Sequence, residues 1–215
     1  MRALSQPVNL NELTSLLGQV APTWRGQDRA RSLVQPTGFS CLNDVLPGGG
    51  WPVGALIELV PTQDGIGEVR LVLPALRQLC RAQRRVAFIH PPFTPDPLAL
   101  HGKGLPLKFT IWIATKSDAD SLWAATQLLR EASTGAILLW STRLQSGDLR
   151  KLQLAAESGK SFAFLFRRPK TLGHPSPAAL RIELRPARQA LVVHIHKSRG
   201  GRPCVTTVKM PKIRI

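Results

Sequence analysis

Between Ala55 and Val69 the chain reads as an apolar strand, a glycine-bearing loop and the start of a helix. That order lets backbone N–H groups and a helix N-terminus surround a phosphate. A working loop of this kind ends in Gly-Lys-Ser/Thr, because the lysine meets the β/γ-phosphates and the hydroxyl holds magnesium. Here the corresponding residues are Gly65-Ile66-Gly67-Glu68-Val69, preceded by Asp64. Glu68 stands where the lysine belongs, and with Asp64 it repels a triphosphate. Asp64, Gly65, Gly67 and Glu68 therefore mark a degenerate loop, with no nucleotide, no cofactor and no catalysis expected from it.

Other chemistry is equally sparse. His194 and His196 share one face of a strand without neighbouring Cys or carboxylate partners, a poor metal site. No pair of carboxylates is spaced to hold two metal ions, and no serine, histidine and acid suggest a nucleophilic triad. Cys41, Cys80 and Cys204 lie far apart with no CxxC pair, as expected of thiols in a reducing cytoplasm. Charge is more informative. Of the net +16, about +12 falls in residues 160–215, where 13 Lys/Arg face one acid, Glu183. Such asymmetry is the footprint of a polyanion partner, nucleic acid first among them. Lys197, Arg199 and Arg202 flank a Gly-Gly turn and are the leading phosphate-contact candidates, with Arg167 and Arg168 beside them. An exposed basic turn, or one facing an acidic protein, is the competing interpretation.

The elements that would position these groups alternate. Strands are expected at Ala55–Val60, Val86–Ile89, Phe109–Ala114, Ala136–Trp140 and Phe162–Phe166, with helices between them. Pro74 predicts a late start or a kink in the helix after the loop. Arg77, Arg81, Arg84 and Arg85 are expected to point outward. Ser117 should cap the helix that Gly135 closes. Three period-two segments follow, Leu180–Leu184, Leu191–His196 and Val205–Val208, with turns at 185–189 and 198–203. The fold class is α/β: a mostly parallel sheet flanked by helices, carrying a C-terminal antiparallel extension. Residues 1–36 form an N-terminal helix and linker, 37–170 the core, and 171–215 a basic β-rich extension of the same domain. The apolar stripe of Leu10, Leu13, Leu17 and Val20 suits packing on its own domain or docking on a neighbouring protein. No apolar run approaches the roughly 18 residues needed to span a bilayer. No secretory signal opens the chain, so a cytoplasmic protein is expected.

Thr37-Gly38-Phe39, Leu42-Asn43, the run Gly48 to Gly54 and Ile57-Glu58-Leu59 resemble the entry to a RecA-like core. Trp24-Arg25-Gly26, Leu46 to Pro52, Gly65 to Glu68 and Lys197 to Pro203 resemble the ImuA family of bacterial mutagenesis cassettes, along nearly the whole chain. That resemblance implies a non-catalytic accessory protein of SOS-induced translesion DNA synthesis. Its implied partners are an ImuB-like Y-family polymerase homologue, an error-prone polymerase subunit, RecA and DNA. Where RecA-like ATPases carry a catalytic glutamate and a magnesium-ordering aspartate, this chain has Pro92 and Trp140. The segment Gly104-Leu105-Pro106-Leu107 is shared with SulA-like cell-division inhibitors, which would bind FtsZ.

Overall fold

The structure is a computed structural model that describes residues 33–141 and 143–210. The region from Leu33 onward forms one compact unit. In chain order it comprises β1 (Val34–Gln35), α1 (Ser40–Asn43), β2 (Trp51–Pro52), β3 (Ala55–Pro61), α2 (Glu68–Arg81), β4 (Arg85–Ile89), α3 (Pro97–Gly102) and β5 (Thr110–Ile113). There follow α4 (Asp118–Arg130), β6 (Thr134–Trp140), α5 (Ser146–Gly159), β7 (Phe162–Phe166), β8 (Leu180–Ala187), β9 (Ala190–Ser198) and β10 (Cys204–Lys209).

Eight strands form one sheet in the order β10-β9-β8-β3-β7-β6-β4-β5. From β8 to β5 neighbouring strands are parallel; β9 and β10 are added antiparallel. The expected α/β architecture, antiparallel extension included, is the observed one. All seven residues of β3 are buried, as a strand covered on both faces requires. One face packs on α1 and α2 through Leu42, Leu71, Leu76 and Ile57, with Trp51 edge-to-face on Phe164. The opposite face packs on α4 and α5 through Leu56, Leu129, Leu152 and Leu165.

Local chemistry explains the entry motif. Thr37 is fully buried; its N–H and hydroxyl both donate to Asn43 Oδ1, at 2.9 and 2.7 Å. Gly38 has φ +89°, and a Cβ there would stand 2.4 Å from the Pro74 ring. Of the two outcomes expected at Pro74 the late start is not seen: α2 begins at Glu68, six residues before it, and continues to Arg81. Proline brings no N–H to the helix, and its ring is accommodated against Gly38 instead.

Three further expectations are revised. Gly135 lies inside β6 rather than closing α4, because a Cβ would meet Leu79 and Arg84 at about 3 Å. Strand β8 continues through Arg185 and Pro186, leaving only Arg188-Gln189 as the turn, with Gln189 at φ 54°. Beyond Leu184 β8 has a single neighbour, so a proline is tolerated there as on an edge. Arg84 points inward, its guanidinium donating to the carbonyls of Thr134, Gly159 and Lys160. Ser117 caps α4 as expected, accepting from Asp120 N at 3.1 Å. Among the described residues no helix is long and apolar enough to cross a membrane.

Candidate functional site

The loop between β3 and α2 opens at the carboxyl end of the sheet, where open α/β folds bind ligands. Gly65 and Gly67 hold φ of +81° and +105°, the left-handed region that glycine enters freely. These angles turn two amides inward. Gly65 N–H donates to Glu68 Oε1 at 3.1 Å, and Gly67 N–H to Glu68 Oε2 at 3.0 Å. Glu68 is buried at 6% exposure in the first turn of α2, where the helix dipole favours an anion. The loop is therefore not merely lacking a lysine. Its own carboxylate accepts from both inward-turned amides. Asp64 stands apart from this arrangement, paired with Arg168 at 3.1 Å on the surface.

Beside the loop lies a cleft of about 560 Å³, lined by Pro61, His90, Lys116, Arg143, Trp140 and Phe166 among others. Trp140 and Phe166 give it an apolar side, and Asp118 and Lys116 line it too. Trp140 stacks on Phe166 at 4.4 Å and 9°, and on Phe88 at 6.3 Å and 16°. Such pairs contribute about 0.5–1.5 kcal/mol beyond their buried area. Pro92 lines the same cleft. Among the described residues no group of three or more His, Cys, Asp or Glu could hold a metal ion.

Glu58, fully buried in β3, anchors a cluster at the other flank of the strand. Arg181 Nε lies 2.7 Å and Arg167 Nη1 3.4 Å from its carboxylate, and Ser176 Oγ donates to it at 2.8 Å. Terminal guanidinium nitrogens also reach backbone: Arg167 to Leu144 O, and Arg181 to Thr171 O and His174 O, while Arg167 Nε is buried without a hydrogen-bond partner. This corrects the expected role of Arg167, whose side chain is 7% exposed and ion-paired rather than turned to a surface phosphate. The signal was present in the sequence. An acid inside an uninterrupted apolar strand demands buried cationic partners, and Arg167 and Arg181 flank the neighbouring strands.

The other basic candidates divide. Lys197 Nζ donates to Ser176 O at 2.6 Å, and burial together with the nearby Arg199 lowers its pKa. Arg199 is exposed, 3.9 Å from Glu157, and Arg202 is exposed in the β9–β10 turn. That turn reaches the glycine run of the entry motif: a Cβ on Gly201 would meet the Pro47 ring at 2.8 Å. The structure thus brings together two glycine-rich strings that lie about 150 residues apart in sequence. Leu10, Leu13 and Leu17 lie outside the described residues.

No family model matches the chain. Over 114 residues it is 29% identical to a cell division inhibitor SulA of Serratia proteamaculans, covering 53% of this chain and 68% of that protein. A SulA of Serratia marcescens is 27% identical over 135 residues, 61% of this chain and 80% of its own length. One from Yersinia enterocolitica is 25% identical over 114 residues, 53% and 68% of the two chains.

Proposed function

We propose that this chain is a SulA-like interaction module of the bacterial DNA-damage response that works without nucleotide. The observation that carries the reading is the Glu68 carboxylate seated on the Gly65 and Gly67 amides, with the Trp140 stack beside it. A loop filled in this way has no place for a triphosphate, so the module acts through the proteins it touches. Its partners, in this proposal, are an ImuB-like Y-family polymerase homologue, an error-prone polymerase subunit and RecA, and its task is translesion synthesis. Supporting this reading are the resemblance to ImuA along nearly the whole chain and the basic quarter from residue 160. Also in its favour, the Lys197–Pro203 string is seated against the Leu46–Pro52 string.

A second reading is favoured by the comparisons: a division inhibitor binding FtsZ, as the similarity to SulA proteins suggests. A pull-down with the tagged full chain under DNA damage separates the two. Recovery of the polymerase homologue and RecA supports the first. Recovery of FtsZ without them overturns it in favour of the second. Micromolar Mg-ATP binding by equilibrium dialysis would overturn the nucleotide-free premise of both.

A further inference from the structure

The antiparallel extension has one face in the core and one in solvent. Ile182, Leu184, Leu191, Val193, Ile195 and Val208 are buried against α1 and α2. Strand alternation sends Glu183, Arg185, His194, His196, Val205, Thr207 and Lys209 to the other side. There the register sets Glu183 beside His194 and His194 beside Val205. The stretch Thr171–His174 holds the Arg181 guanidinium on this side, and Glu183 next along β8 is buried as well. Beyond it Arg185 is 54% and Val205 57% exposed. Glu183, the single acid of the basic quarter, is ion-paired with Arg185 at 2.8 Å and lies 2.9 Å from His196 Nε2. The rings of His194 and His196 lie 6.5 Å apart at 23°.

Charge is distributed along this face in a definite order. At one end stand Lys209 and the turn residue Arg188, beside the Glu183-paired Arg185; at the other stand the Arg199 and Arg202 turn residues. Between them lie rings and methyl groups. Strand β9 has nine residues, so the ends are separated by about 30 Å. We propose that this face binds single-stranded nucleic acid, with phosphates at the two basic ends and bases lying on His194, His196 and Val205. Side-chain rings receive bases only when these are unstacked, which favours a single strand over a duplex. This binding site is independent of which protein partners are correct.

The test uses the purified full chain and a fluorescein-labelled oligodeoxythymidylate of about 15 nucleotides, a length within the range such proteins cover, followed by anisotropy between roughly 50 and 200 mM salt. Arg188→Glu with Lys209→Glu should weaken binding at least tenfold. It should also lower the salt slope by roughly 1.4, since each phosphate no longer neutralised removes about 0.7. His194→Ala with Val205→Ala should weaken binding roughly tenfold and leave the slope unchanged. All four positions are at least partly exposed, so melting temperatures should stay near wild type. Absence of binding at the lowest salt would overturn the proposal, as would wild-type affinity in both double variants. A duplex bound as tightly as the single strand would also overturn it. So would competition by polyglutamate equal to that of the oligonucleotide, since the face would then be a site for acidic protein.

Discussion

Replacing Glu68 by alanine tests whether the loop is a filled anion site. The substitution removes two hydrogen bonds to a charged acceptor, at 3.0 and 3.1 Å. Each such bond contributes about 1.5–3 kcal/mol, but water re-enters the opened loop and recovers part of it. A net loss of about 2–3 kcal/mol follows, which for a chain of this size lowers Tm by roughly 4–12 °C. Glu68→Gln keeps one acceptor oxygen and should lose about half as much. The amides freed in Glu68→Ala should then accept a tetrahedral anion. With a Kd on the order of 10 mM, about 100 mM sulfate restores about 1.4 kcal/mol. Sulfate also stabilises proteins generally, so the measured quantity is the extra rise in Tm of the variant over wild type. Differential scanning fluorimetry with sulfate and with chloride at matched ionic strength supplies it. A variant that melts with wild type, or gains no more from sulfate than wild type, would refute the reasoning. Neither protein should hydrolyse ATP, since Trp140 and Pro92 remain.

Three other outcomes are expected. Glu58→Ala leaves Arg167 and Arg181 buried without a counter-charge and should cost about 3–5 kcal/mol in urea unfolding. Burial pushes the Glu183 carboxyl up, but Arg185 and His196 outweigh it and hold the pKa below the ordinary carboxylate value. Its contribution is therefore present above the unfolded pKa and lost as pH falls through the folded one. Glu183→Gln should lower stability near pH 7 and leave it little changed near about pH 3, so that the acid limb flattens. If the N-terminal stripe docks on a partner, Leu13→Asp or Leu17→Asp should weaken association by an order of magnitude or more. Unchanged affinity for RecA and the polymerase homologue, with a lowered Tm, would assign the stripe to intramolecular packing.

The alternation of apolar strands and helices was legible because period and burial agree along β3, β4, β6 and β7. Ser117 was legible because capping is local: a hydroxyl and the amide three residues on suffice. What sequence could not settle depended on distant partners. Pro74 reads as a helix breaker until Gly38 is placed against its ring. Pro186 reads as a turn until β8 is seen to have lost a neighbour there. Arg167 and Arg168 are adjacent and chemically identical, yet one is drawn to Glu58 and the other to Asp64. Glu68 shows the limit most clearly. In the sequence it reads only as a charge hostile to phosphate; the loop angles reveal it as the anion the amides hold.

The carboxylate on the loop also bears on how such a protein could be timed. Proteins with a γ-phosphate on the corresponding amides count time by hydrolysis, and their switch regions relax when it leaves. On the nucleotide-free reading proposed above, the carboxylate is tethered through its own backbone and sets no hydrolytic clock. On that reading engagement of a partner follows mass action, rising with the number of copies in the cell and falling as dilution or degradation lowers that number.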